Sequence, residues 1–362
     1  MQSLLGVSIS TLKEKLHSIF ANQKYEALVI INSSEQDSNF KYLTGFTSGI
    51  FEQTVLIAGP DGAKIIVNKL EEEVARKQAD GAIEVVCANR DLLHNELRRL
   101  HGKKLGINAS FIPVSYAKML SKVTGAKSLV DASQDLLKVR SIKDEYEIKQ
   151  IRKAVRITKA AIEETVAELE PGQSEEEVAA RFEYNQAKLG ARISFPSIVA
   201  FGPNASMPHY MPGKRRLASN EAVLFDVGGV QNNYCSDISR TVIFKPDRHS
   251  IKYKRVSEMV EVVKEAQQLA LKEMYEGNDA SSPHNAAASY IDSYKDGIYK
   301  GRFIHALGHS IGIEVHDGQT IPSKMRLERN MVFSDEPGIY IPKFGGVRFE
   351  DDVLIGKKSR FL

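Results

Sequence analysis

The chain has 362 residues and a mass of 40.3 kDa, long for one hydrophobic core and comfortable for two domains. Its 42% hydrophobic and 26% charged residues describe an ordinary globular protein, and a net charge of +3 without a long basic run excludes any compositional case for nucleic acid or anionic membranes. No segment approaches about eighteen apolar residues, and no basic region precedes an apolar run at the N-terminus, so a cytoplasmic protein is expected.

Residues 11–21 carry apolar positions at helical spacing, and YEALVIIN (25–32) reads as a buried strand. TVLIAGPDGAKIIVN (54–68) is a hairpin pattern, two apolar runs around Gly59-Pro60-Asp61-Gly62. Helical patterns over 69–79 and 91–100 alternate with extended IEVVCA (83–88) and KLGIN (104–108). Residues 1–130 are therefore expected to form a small mixed α/β domain, which gathers no cluster of histidine, cysteine or carboxylates. Cys87 and Cys235 lie far apart near apolar segments and read as reduced, buried thiols. Residues 131–143 are expected as a linker, and 144–362 as the catalytic domain.

That second domain opens with an amphipathic helix over 144–170, striped by Ile148, Ile151, Val155, Ile162, Val166 and Leu169. Thr158 breaks the stripe with a polar group that its methyl partly covers. Pro171-Gly172 ends this helix, and Ser174 before a run of glutamates caps the next, over 174–190. Extended 195–202 and 222–229 follow, with further helices over 252–275 and from Pro283.

Two acidic hairpins stand out. In FDVGGVQNNYCSDISRT, Asp226 and Asp237 are eleven apart; facing each other across antiparallel strands, they centre the turn between Gln231 and Asn232. In DEPGIYIPKFGGVRFEDD, Glu336 and Glu350 are fourteen apart, and the same pairing centres the turn on Lys343. Helices, strand and hairpin thus occur twice, which suggests two similar halves that each donate carboxylates.

Together with His309, bracketed by Gly308 and Gly312, these four carboxylates are too acidic a cluster to bury without cations. They suit two divalent ions sharing a water. His305 stands four before His309, but HALGH lacks the glutamate of a zincin helix. His316 stands seven beyond His309, and His209 lies in the Pro- and Gly-bounded loop SMPHYMPG. Arg348, two before Glu350, shares its strand face and is placed to orient carboxylate ligands.

IHALGHSIGIEVHD (304–317), NMVFSDEPGIY (330–340) and GVRFEDDVLI (346–355) resemble the metal-dependent proline-peptidase and methionine-aminopeptidase group. Within it, the leading α/β domain, YLTGF (42–46) and VRSIKDEYEIKQIRKA (139–154) are similar to Xaa-Pro dipeptidases and Xaa-Pro aminopeptidases. The resemblance covers nearly the whole chain. It implies an α/β N-terminal domain followed by an α+β pita-bread catalytic domain of the creatinase and methionine-aminopeptidase kind. It also implies hydrolysis of the bond before proline in an X-Pro dipeptide or short peptide, and a homodimer. Its five metal ligands fall on Asp226, Asp237, His309, Glu336 and Glu350, with Asp237 and Glu350 bridging.

Oxygen-rich ligation favours Mn²⁺, or Co²⁺ in vitro, with Zn²⁺ or Fe²⁺ as alternatives. The catalytic residues implied are His316 at the oxyanion, Glu336 as proton shuttle, His209 and His305 as pocket walls, and Arg348 behind the carboxylates. The chain departs from the common pattern at Ser310, where GHS replaces GHG and sets a hydroxyl beside a ligand. An aminopeptidase acting on longer X-Pro peptides is the nearest alternative, and a metal-dependent lyase of the same architecture a more distant one.

Overall fold

The computed structural model describes residues 9–362 apart from Gln23, Asp80 and residues 126–128. The chain divides into two compact units, Met1–Arg140 and Ser141–Leu362. No helix among the described residues is long and apolar enough to cross a membrane.

The first unit is built on a six-stranded mixed sheet. Its strands are β1 (Ala27–Ile31), β2 (Val55–Gly59), β3 (Gly62–Val67), β4 (Ile83–Cys87), β5 (Leu105–Ile107) and β6 (Leu129–Asp131), in the order β4-β3-β2-β1-β5-β6. The central strand β1 is buried along its whole length, which explains its unbroken apolar run. Val29 and Ile31 share a core with Leu97 of α4 (Arg90–Arg98) and Leu120 of α5 (Val114–Thr124). The predicted hairpin forms with Gly59 opposite Gly62 around Pro60-Asp61. Helices α1 (Ile9–Phe20), α2 (Ser38–Thr44) and α3 (Glu72–Ala79) complete the layer, α2 capped by Asp37 and closed by left-handed Gly45 at φ 65°.

Most of segment 131–143, expected as a linker, is helix α6 (Ser133–Ser141), with Leu136 buried and Arg140 donating from Nη1 to Asn39 Oδ1 at 3.1 Å. The division between the two units falls within it. One expectation is corrected: both cysteines are free, but Cys87, on the edge strand β4, is half-buried, whereas Cys235 is fully covered.

The second unit repeats one plan twice. Helices α7 (Glu145–Ala167) and α8 (Glu175–Lys188) precede β7 (Arg192–Ile193) and β8 (Ile198–Phe201), and then a first hairpin. Both helices start in full capping boxes, Asp144 with Glu147 and Ser174 with Glu177. Helices α9 (Ile251–Glu273) and α10 (Ser282–Ser293) precede a second hairpin. Val256, Met259, Val263, Ala266 and Ala270 of α9 share a core with residues of that hairpin.

The first hairpin pairs β9 (Glu221–Val227) with β12 (Ile238–Phe244), and β10 (Gly229–Gln231) with β11 (Tyr234–Cys235). Its turn is Asn232-Asn233, at φ 47° and 73°, one residue beyond the expected centre. Asp226 therefore faces Ser239 rather than Asp237. The shift follows from turn chemistry: two left-handed residues suit asparagine, whereas the expected centre would put Gln231 in one of those positions. Asp237 keeps to the same face as Asp226, one diagonal step along.

After β13 (Gly308–His309) and β14 (Thr320–Ile321), the second hairpin pairs β15 (Val332–Asp335) with β18 (Asp351–Leu354), and β16 (Gly338–Ile341) with β17 (Gly345–Arg348); β19 (Arg360–Phe361) adds an edge. Here the turn centres on left-handed Lys343, φ 64°, as the fourteen-residue spacing predicts. Asp335 opposes Asp351 and Gly338 opposes Arg348, so one register spans the break and sets Glu336 against Glu350 within it.

Candidate metal centre

Both hairpins break at the site, and their freed amides are used there. Asp237 N–H donates to Asp352 Oδ2 at 3.3 Å, Glu336 N–H to the Leu307 carbonyl at 2.9 Å, and Glu350 N–H to the Ser239 carbonyl at 3.1 Å. These bonds join the two hairpins to each other and to the segment carrying His309. Asp237, His309 and Glu350, all buried, offer ligand atoms that lie within 4.8 Å of one another.

His309 is oriented by its backbone. A Cβ on Gly308 would stand 2.1 Å from the Ser334 carbonyl oxygen, so only glycine lets the strand approach that closely. His309 Nδ1–H donates to the Val315 carbonyl at 2.9 Å, which leaves the Nε2 lone pair free. Nε2 is 3.5 Å from Asp237 Oδ2 and 3.5 Å from Glu336 Oε1. Burial, then the neighbouring His316 ring, lowers the imidazole to about 4, which keeps it neutral as ligation requires.

The carboxylates are destabilised as anions. Burial first, then Glu350, Asp226 and Glu336, raises Asp237 well above the usual range. Burial and Glu350 do the same to Glu336, and burial with Asp226 lifts Glu350 to about 8. Asp237 Oδ1 and Glu350 Oε1 are buried without a hydrogen-bond donor among the described residues. Mutually repelling carboxylates with unspent lone pairs beside a neutral imidazole fit divalent cations bound through oxygen.

Asp226 and Glu336 stand within electrostatic reach of this group, and Glu336 approaches His309 directly. Asp226 Oδ2 is held by Arg348 Nη2, and Glu336 Oε1 accepts from the Ser334 hydroxyl at 3.2 Å. Arg348 also donates from Nε to Ser239 Oγ at 2.7 Å and from Nη1 to Tyr340 Oη at 2.9 Å. The Ser239 hydroxyl in turn donates to Glu350 Oε2 at 2.6 Å. Sequence reading missed Ser239 and Tyr340, although strand alternation from Asp237 and Glu336 puts both on the ligand face.

His305 is not on a helix with His309. Its Nδ1 donates to the Ala306 carbonyl at 2.7 Å and its Nε2 accepts from the Tyr340 hydroxyl at 2.8 Å, while burial and then Arg348 lower it to about 4. His209, exposed on its loop, and His284 at the start of α10 both act electrostatically on His305. His284 packs on Phe303 with centroids 5.3 Å apart and was not anticipated.

His316 is exposed, its ring 4.1 Å from that of His309 between centroids. IGIEV (311–315) before it forms a compact loop. The Asp317 N–H returns to the Ser310 carbonyl at 2.8 Å, and Asp317 Oδ2 pairs with buried Lys143 at 3.3 Å. A Cβ on Gly312 would stand 2.0 Å from that same Oδ2. The Ser310 hydroxyl is buried without a partner among the described residues.

Thr158, read as a flaw in a helix stripe, is instead a contact. Its hydroxyl meets Ser236 Oγ at 3.0 Å and Gln186 Oε1 at 3.2 Å, while Gln186 donates to the Gly228 carbonyl at 2.8 Å. Helices α7 and α8 thereby hold the break next to Asp237.

A carboxylate-rich, buried centre framed by two helix-backed hairpins defines a metal-dependent hydrolase. Residues 149–357 match metallopeptidase family M24, and residues 13–142 match the creatinase/prolidase N-terminal domain. The chain belongs to that metallopeptidase family, with a creatinase-like N-terminal domain and a pita-bread catalytic domain. It is 33% identical over 327 residues to a Xaa-Pro dipeptidase of Pyrococcus horikoshii, covering 90% of this chain and 89% of that one. The crystal structure of the prolidase from Pyrococcus horikoshii OT3 superposes with a TM-score of 0.84 at 30% identity, over 97% of each chain. An X-Pro aminopeptidase from Thermotoga maritima gives 0.85 at 28% identity, over 93% of this chain and 95% of that one.

Proposed function

We propose that the chain is a Xaa-Pro dipeptidase, hydrolysing the bond before proline with two divalent cations, Mn²⁺ in the first instance and Co²⁺ as an active substitute in vitro. The observation that carries this reading is the buried Asp237–His309–Glu350 group at the meeting of two broken hairpins. It is supported by near full-length likeness to proteins named for X-Pro substrates. A cytoplasmic homodimer belongs to the same reading.

When bound, the cations would supply Lewis acidity toward the scissile carbonyl and would acidify a water held at the site. Asp226, Asp237, Glu350, His309 and Glu336 are the residues that would hold them. Glu336, 3.5 Å from His309 Nε2, has the proposed task of taking a proton from water and passing it to the leaving proline nitrogen. That nitrogen carries no amide hydrogen and an extra carbon, so the proton must be delivered from a fixed direction. The proposed role of His316, exposed with its ring beside that of His309, is to donate toward the developing oxyanion. His209 and His305 wall the space for the proline ring, and Arg348 fixes Asp226 and, through Ser239, Glu350.

A panel of Met-Pro, Leu-Pro, Met-Ala and Leu-Ala, with an X-Pro tetrapeptide, assayed with Mn²⁺ and with Co²⁺, tests the substrate class. Rapid X-Pro cleavage and poor X-Ala cleavage are expected; the reverse order overturns the proline assignment. Equal rates on tetrapeptide and dipeptide would make the chain an aminopeptidase, the reading favoured by the Thermotoga maritima likeness. The histidines separate by titration of Mn²⁺ into the metal-stripped variants. His309→Ala should weaken binding, whereas His316→Ala should spare it and lower kcat. Equal losses of affinity would move His316 among the ligands.

A further inference from the structure

Glu175, the first residue of α8, is fully buried, and its carboxylate is spent on four donors. Oε1 accepts from the Phe201 N–H at 2.8 Å and from Asn204 Nδ2 at 3.0 Å; Oε2 accepts from the Tyr210 hydroxyl at 2.8 Å and from the Gly213 N–H at 3.1 Å. All four donors are neutral, so the charge is balanced by hydrogen bonds and by the helix N-terminus rather than by a cation. All four also belong to one stretch of chain, the end of β8 and the loop that follows it. Phe201 ends β8, and at Gly213 the chain turns back along the start of α8, with Glu176 N–H on the Gly213 carbonyl at 3.2 Å and Glu175 N–H on the Arg215 carbonyl at 3.3 Å.

The carboxylate therefore clasps the neck and the interior of a loop whose outer face exposes Met207, His209 and Met211. Tyr210 is drawn inward to Glu175, which leaves its neighbour His209 facing out. The opposite flank is fixed as firmly: a Cβ on Gly346 would stand 2.0 Å from the Ala205 carbonyl oxygen, so the loop backbone rests directly on β17, the strand that ends in Arg348.

We propose that Glu175 is a positioning residue that holds His209 at the substrate pocket, setting the loop's distance from β17 without itself touching substrate. The proposal rests on the reading of His209 as a pocket wall. A purely structural carboxylate would lower stability and leave the pocket's affinity alone.

Glu175→Gln, which keeps the shape and turns one acceptor into a donor, is to be measured as the Mn²⁺-loaded full chain on an X-Pro dipeptide. We expect kcat/KM to fall on the order of ten- to a hundredfold through KM, with Mn²⁺ affinity unchanged. Adding His209→Ala should cause no loss beyond that of His209→Ala alone. Additive losses, or a wild-type KM in Glu175→Gln, overturn the proposal. Should Glu175→Gln fail to fold, Tyr210→Phe removes one of the four donors and carries the same expectations at smaller size. A His209→Ala variant indistinguishable from wild type overturns the reading of the pocket and the proposal with it. A damaged His209→Ala beside an intact Glu175→Gln overturns positioning alone.

Discussion

Asp237→Asn should lose activity by about 10²-fold or more while the folded protein survives, since the change preserves volume and removes one charge from the centre. Metal affinity should fall with it, and wild-type turnover at low added Mn²⁺ would remove Asp237 from the site. The same variant should behave differently once stripped of metal. In the stripped wild type, Glu350 is lifted to about 8 and Asp237 and Glu336 stand well above the usual range. The folded chain then binds protons more tightly than the unfolded one. The stability this contributes is complete below the unfolded values, about 4, and is lost as pH rises through the folded ones.

Melting of the stripped protein should therefore occur at a higher temperature at about pH 7 than at about pH 9, and Asp237→Asn should flatten that difference. Between about pH 4 and the ordinary imidazole range, His305 and His309, both lowered to about 4, resist protonation in the fold and offset part of this gain without reversing it. A stripped wild type that melts at the same temperature across pH 7–9 would contradict the electrostatic account.

Lys143→Met should cost about 3–5 kcal/mol, the usual penalty for taking one partner from a buried ion pair. Lys143 and Asp317 are both almost wholly covered, and their 3.3 Å contact anchors the loop that supplies the Val315 carbonyl to His309. Mn²⁺ affinity should fall alongside the melting temperature. Replacing both partners, Lys143→Met with Asp317→Leu, should recover much of the stability, because two apolar groups leave no buried charge behind. Urea unfolding of the catalytic transition measures each variant, and an unchanged midpoint for Lys143→Met would show the pair to be dispensable.

The acidic hairpins were legible because antiparallel pairing turns a spacing into a turn position. For Glu336 and Glu350 the spacing alone sufficed, and Lys343 is where it points. For Asp226 and Asp237 it erred by one residue, since the left-handed demand of Asn232-Asn233 outranks symmetric opposition of the aspartates. The supporting contacts were not legible. Thr158 meets Ser236 across 78 positions, Arg348 meets Ser239 across 109, and Glu175 meets the loop around Tyr210 across 35. Such pairs leave no periodic mark on either segment. Helix α6 escaped for another reason: nine residues with one buried leucine carry too weak a stripe to separate from a connecting segment.

The unbroken register across each hairpin break has a consequence for how the catalytic unit tolerates changes in length. Glu336 and Glu350 each stand seven residues from Lys343, so their depth is counted from the turn. One residue added within a strand between turn and carboxylate would reverse that side chain's face, or force a bulge to absorb it. Two added residues would restore the face and displace the carboxylate by roughly 7 Å, away from the other acidic groups of the centre. Length variation in this unit is thus confined to the turns themselves and to segments outside the hairpins, and the spacing of the acidic groups behaves as a quantity set by parity rather than by degree.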